Sequence, residues 1–178
     1  MLIASPLGGY GFAREMLVPR DAGSQFRRPI QLRDKGEVIQ MTSIKETAER
    51  FFDACETGKG WEGCRQHCHA NATFSAQAGA LEGVETLQAY TDWMKGLLTP
   101  VPDGQYELRS FAVDTARNNV TAYAVFRGTH TGEGGPVPPT GKQVEADYVY
   151  VMQFEGDKIR HMTKIWNDSL SLKQLGWA

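Results

Sequence analysis

The sequence predicts an α+β domain: a curved antiparallel sheet wrapped around about three N-terminal helices and enclosing a conical cavity. Three observations predict it. Amphipathic stripes at helical spacing, with a short helical segment between them, occupy residues 43–98, and four runs with strand character follow between 106 and 168. The links between those runs are too short for crossovers, so consecutive strands must run antiparallel. Helices that precede a meander cover one face of its sheet.

The elements follow in chain order. Gly8, Gly9, Gly11 and Gly23, with Pro6, Pro19 and Pro29, break every short apolar run near the start, so residues 1–40 are expected to be an irregular or disordered extension and residues 41–178 the domain. Arg14, Arg20, Arg27, Arg28 and Arg33 hint at a transit peptide, but Glu15, Asp21 and Asp34 sit among them, and such peptides are poor in acids. Ser43 and Glu46 form a capping box that opens a helix. Its stripe is Ile44, Ala48, Phe51, Phe52 and Cys55, and Gly58 offers the left-handed residue that ends it. A short helix over 61–67 and a brief strand over 72–75 lead to a third helix, whose stripe is Leu87, Tyr90, Trp93, Met94, Leu97 and Leu98, closed by Pro100. Strands are expected over 106–114, 120–131, 144–155 and 158–168, joined by Asn118-Asn119, a glycine-proline loop and Gly156-Asp157.

Composition narrows the function. A length of 178 residues, 41% apolar and 22% charged, suits one domain. A formal net charge of -2 lacks the basic excess that nucleic-acid binding needs, and no apolar run is long enough to span a membrane. Cys55, Cys64 and Cys68 are an odd set without the spread of a disulfide framework, which places the chain in a reducing, cytoplasmic setting. Cys64, His67 and Cys68 lie at helical spacing with His69 adjacent, but no second cluster of soft ligands follows, so no metal is expected. Either Val149 and Val151 or Tyr148 and Tyr150 must lie on the outer face of the sheet, and an apolar outer face predicts a homodimer packed sheet to sheet.

Three stretches carry a family resemblance: the run from Gly128 through His130, Gly132 and the Pro138-Pro139-Thr140-Gly141 turn to Lys142; then Gly156, Lys158 and Ile159; then Gln174, Leu175 and Gly176. In their order and spacing they resemble the SnoaL-like polyketide cyclases of the nuclear transport factor 2-like superfamily, from Met41 onward. The resemblance implies a cone-shaped, cystatin-like α+β barrel around a hydrophobic pocket. That container also serves a ketosteroid isomerase, a dehydratase, an epoxide hydrolase and noncatalytic binders, so fold does not assign chemistry. Much of the signature also has a structural account, since the Pro-Pro-Thr-Gly turn links two long strands and Gly156 permits a tight hairpin.

For a cyclase or isomerase, the resemblance implies acid/base chemistry on a small, largely apolar, carbonyl-containing ligand, with a buried carboxylate as base and hydrogen-bond donors for the enolate, and without any cofactor. The family's carboxylate lies about eight residues beyond the Ile of Gly-Lys-Ile, and an ungapped count from Ile159 ends on Asn167, one residue short of Asp168. Strand alternation lets one of these two face inward unless a bulge or strand end intervenes. On the preceding strand Gln153 stands near the place of a family histidine; it donates hydrogen bonds but does not titrate. His130 is the available titratable donor, with an anchoring bond to backbone as its structural alternative, and His161 alternates with Ile159 and Ile165. Phe52, Phe74, Tyr90, Trp93, Met94 and Trp166 are the candidate ligand-binding wall, although aromatic stripes also serve plain packing. An epoxide hydrolase or dehydratase would need a buried carboxylate pair, for which Asp147 with Arg127 or Arg160 is the nearest material.

Overall fold

A computed structural model of the chain describes residues 43–178 and, before them, a two-strand ribbon in which β1 (Gln31–Leu32) pairs antiparallel with β2 (Val38–Ile39). The expectations for the rest of residues 1–40 lie outside the described residues. Contacts divide the chain into residues 1–39 and residues 40–178, and the second unit holds the helices and the large sheet.

Helix α1 (Ile44–Glu56) starts at the expected capping box: the Ser43 hydroxyl accepts from the Glu46 amide at 3.2 Å, and the Glu46 carboxylate accepts from the Ser43 amide at 3.2 Å. Its stripe buries Ala48, Phe51, Phe52 and Cys55, and the chain leaves through Gly58 at φ +71°. Helix α2 (Gly60–Cys64) runs into a 3-10 turn over Arg65–His67. Helix α3 (Leu87–Leu97) is capped by Thr86, which accepts from the Ala89 amide at 3.1 Å.

Strands β3 (Cys68–Ala76), β4 (Gln105–Asp114), β5 (Asn119–Thr129), β6 (Gln143–Glu155) and β7 (Lys158–Trp166) form one sheet in the order β3-β7-β6-β5-β4. The meander from β4 to β7 is antiparallel, but β3 pairs with β7 in parallel. The sheet is therefore mixed where a wholly antiparallel one was expected. Hairpin turns dictate direction for the four consecutive strands; β3 joins from a distant part of the chain, and no turn constrains it. β3 and β4 do not pair with each other, so the sheet stays open.

Strand β6 obeys a strict alternation. Val144, Ala146, Tyr148, Tyr150, Met152 and Phe154 are buried, while Asp147, Val149, Val151 and Gln153 lie on the other face. β7 changes phase. Phe154 pairs with Ile159 but Gln153 pairs with His161, so Arg160 is an extra residue, a bulge. Ile159 is buried before it; after it Met162 and Lys164 are buried, while Ile165 is 60% exposed. The strand stops at Trp166, and a helix that the sequence reading did not foresee, α4 (Asp168–Leu175), follows at once. Asn167 caps it by accepting from the Leu170 amide at 3.2 Å, and Gly176 ends it at φ +73°.

Candidate functional site

Among the described residues, the core buries one carboxylate, Glu56, and one amine, Lys164, at 2% and 6% exposure. Glu56 is the last residue of α1, one turn beyond Phe52 on the buried stripe. Lys164 stands on β7 in the inward phase that the bulge creates. A charge taken out of water needs hydrogen-bonded partners, and tyrosines supply them. Tyr148 donates to Glu56 Oε2 at 2.6 Å, and Tyr150 donates to Glu56 Oε1. The hydroxyls of Tyr90 and Tyr150 are bonded to each other, and Lys164 Nζ donates to Tyr90 Oη at 3.0 Å.

These contacts form one chain from amine to acid. An ammonium has donors only and a carboxylate acceptors only, so Lys164 donates to Tyr90, Tyr90 to Tyr150 and Tyr150 to Glu56. Each hydroxyl gives one proton and takes one. Five rings surround Lys164 Nζ, with centroids at 4.6 Å (Trp166), 5.0 Å (Tyr148), 5.3 Å (Tyr90), and 5.7 Å (Trp93 and Tyr150). Their faces attract a cation but do not replace water.

Burial accordingly disfavours both charges. It raises the Glu56 carboxyl above its ordinary range, against the lowering effects of Lys164, Tyr148 and Tyr150. It lowers the Lys164 amine to about 8, against the raising effects of Glu56 and Cys55. The phenols of Tyr90 and Tyr150 are pushed well up, first by burial and then by their acidic neighbours.

A cavity of about 40 Å³ opens onto this group. Glu56, Tyr148 and Lys164 supply its polar wall; Trp93, Met94 and Leu97 of α3 and Phe126, Val144 and Ala146 of the sheet supply apolar wall; Trp166, α4 and Trp177 close it. Apolar walls with a few convergent polar groups suit a small, flat, mostly apolar molecule. The space holds roughly two or three waters, so a larger guest requires the closing segment to shift.

The sequence-predicted residues are distributed around this centre. Trp93, Met94 and Trp166 line the cavity, while Phe52, Phe74 and Tyr90 pack in the core behind it. Asn167 and Asp168 are on no strand: Asn167 is the α4 cap, and Asp168 accepts from the Ala80 amide at 2.9 Å. Gln153 is exposed on the outer face. His130 is fully buried beyond the end of β5, where its Nδ1 accepts from Trp177 Nε1 at 2.9 Å and from the Thr140 amide at 3.3 Å, and none of these four lines the cavity. His161 faces outward, bonded to Thr73 at 2.7 Å and to Ser75 and Thr163 at 3.1 Å. Asp147 accepts from Tyr123 at 2.8 Å, and Arg127 is bound to Glu107 and Glu145 at the surface, so no buried carboxylate pair exists among the described residues.

Glu56 and Lys164 were missed, although each carried a signal. Glu56 falls four residues after Phe52 and eight after Ala48, on the apolar side of its own helix. Lys164 stands between Met162 and Trp166 in strand alternation.

The motifs behind the resemblance serve the frame. Thr140 of the Pro-Pro-Thr-Gly turn donates to the Leu175 carbonyl at 2.7 Å, and Gln174 accepts from the Glu145 amide at 3.1 Å. Together with the His130–Trp177 bond they fasten α4 and the C-terminal segment against the loop after β5 and the start of β6.

The SnoaL-like polyketide cyclase family model matches residues 46–175. AclR from Streptomyces galilaeus, provisionally named a hydroxylase, superposes with a TM-score of 0.61 at 24% identity, over 76% of this chain and 82% of its own. IdmH from Streptomyces antibioticus, provisionally named a polyketide cyclase, gives 0.62 at 20% identity over 76% and 99%. A protein from Jannaschia sp. CCS1, provisionally named a SnoaL-like polyketide cyclase, gives 0.63 at 18% identity over 83% and 99%. At such identities the likeness establishes the fold. No curated protein matches the sequence.

Proposed function

We propose that this chain, which belongs to the SnoaL-like polyketide cyclase family, binds a small carbonyl compound in the cavity beside Glu56 and Lys164 and performs cofactor-free proton transfer on it, as a cyclase or isomerase does. The observation that carries this reading is a buried acid and a buried amine on one cavity wall, joined through two tyrosines. Glu56, made more basic by burial, removes a proton from the carbon next to the carbonyl. The Lys164 ammonium faces the oxygen on which charge develops, and the aromatic walls exclude water. The roles that the family resemblance implied for Asp168 and His130 thus pass to these two residues.

Solvent-deuterium exchange at the α-carbons of cyclopentanone, followed by NMR, tests the reading. The wild type should accelerate exchange, and Glu56→Gln should lose about 100-fold or more of that acceleration with an unchanged circular dichroism spectrum. Asp168→Asn should keep the wild-type rate. Exchange by Glu56→Gln at the wild-type rate overturns the assignment of Glu56. A protein that binds the ketone and exchanges no protons in either form is instead the noncatalytic binding module.

The same reading places the protein in the reducing cytoplasm as a homodimer. Three free cysteines support the compartment. The outer sheet face supports the dimer, with half-buried Val149 and Val151 beside Tyr123, which is 37% exposed, and Ile165. Among the described residues no helix is long and apolar enough to cross a membrane.

A further inference from the structure

We propose that Lys164 is a covalent catalyst: its amine forms a protonated imine with the carbonyl carbon of the ligand, and the tyrosine chain to Glu56 supplies the proton traffic. This rests on the carbonyl ligand proposed above and changes what the amine does to it.

A lysine that serves as a structural cation stands in an ion pair. Among the described residues Lys164 has no carboxylate within 4.0 Å; the polar group at hydrogen-bond distance is the Tyr90 hydroxyl, and aromatic faces fill the rest of its surroundings. Such a site leaves a nitrogen lone pair unopposed once the proton departs, and the cavity wall gives it a reaction partner. The path for the proton is built in. Lys164 passes a proton to Tyr90 as Tyr90 passes one to Tyr150 and Tyr150 passes one to Glu56. The net change converts ammonium and carboxylate into neutral amine and carboxylic acid without solvent. Burial favours that neutral pair, since it lowers the amine and raises the acid.

The covalent step then balances. The amine lone pair forms a bond to the carbonyl carbon while the C=O π pair moves to oxygen, and a proton moves from nitrogen to oxygen to give a carbinolamine. Glu56, now protonated, gives its proton to the hydroxyl; the C–O bond breaks, water leaves, and the nitrogen lone pair completes C=N. Ketone and ammonium become protonated imine and water, and Glu56 returns as a carboxylate. The imine, like the ammonium, is a cation, so the surrounding rings hold both. It also acidifies the adjacent carbon, and the regenerated Glu56 carboxylate can take that proton to leave an enamine, the nucleophile of an aldol closure.

Reductive trapping tests this. The full chain is incubated with cyclopentanone and sodium cyanoborohydride near neutral pH, and the modified lysine is located by peptide mass spectrometry. The expected result is one adduct, the mass of the ketone less its oxygen atom, on Lys164, forming at least about tenfold faster than on the exposed Lys45 or Lys59, which stand in surface ion pairs with Glu49 and Asp53. Lys164→Arg, which keeps the charge and is no nucleophile, should show no adduct at that position, and Glu56→Gln should slow the trapping. The mapping on wild-type protein decides the matter even if a variant fails to fold. Labelling of Lys164 no faster than of Lys45, or none at all, overturns covalent catalysis. Wild-type deuterium exchange that persists without trapping leaves proton transfer by Glu56 standing, whereas exchange by Glu56→Gln at the wild-type rate removes that reading independently.

Discussion

Glu56 and Lys164 each lose hydration to a core that returns only tyrosine hydroxyls and ring faces, and the two shifts bear on stability with opposite signs. In the folded chain Lys164 releases its proton at about 8; in the unfolded chain it keeps that proton to about 10.4. Between these values the unfolded form binds more protons, so this residue makes stability rise with pH. Glu56 is raised, so the folded form binds more protons just above the ordinary carboxylate range, and its contribution falls as pH rises there. The groups facing Lys164 are Glu56, Cys55, Tyr90, Tyr148 and Tyr150, and burial keeps the thiol and the phenols protonated in the alkaline window. Those groups are common to the wild type and Lys164→Met, so the difference between the two isolates the lysine. Urea midpoints should show the wild type gaining on Lys164→Met between about pH 8 and pH 10; a constant difference would mean that the amine is not depressed.

At the scale of elements, the bulge at Arg160 decides which residues of β7 meet the cavity. Strict alternation from Ile159 would send His161, Thr163 and Ile165 inward; one extra residue sends Met162 and Lys164 there instead. A bulge has no period of its own in a sequence, so alternation put Lys164 on one face with Met162 and Trp166 without showing that this face turns inward. Helix α4 was missed for a related reason. Asn167 and Asp168 fit a strand end as readily as a cap and first turn, and only the end of β7 at Trp166 distinguishes them. One of the bonds that hold α4 is the Thr140 hydroxyl on the Leu175 carbonyl. Thr140→Val keeps the shape and removes that bond, and should cost about 1 kcal/mol, with faster hydrogen exchange at Trp177 than elsewhere in the domain. Uniform acceleration across the domain would mean that Thr140 does not act locally.

At the scale of the domain, the helices and the buried side chains of β6 share one face of the open sheet, and among the described residues no helix covers the other. Tyr148 and Tyr150 are committed to the interior, so the face available to a second copy carries Val149, Val151, Tyr123 and Ile165. A dimer is the expected species in sedimentation at micromolar concentration, and Val151→Glu should shift it to monomer. A wild-type monomer under those conditions would refute sheet-to-sheet packing.

The sequence by itself determined the class, the order of the elements from α1 to β7 and the start of the first helix, because caps, stripes, alternation and tight turns are local physics that neighbours in the chain enforce. It also pointed to the family, through motifs whose work is to fasten the C-terminal helix. The tertiary structure alone decided the site. Glu56 and Lys164 are distant in sequence, and whether a lone charge at a helix end or within a strand meets water or a tyrosine depends on which other elements cover it. Burial perturbs their protons, and burial is a property of the assembled core.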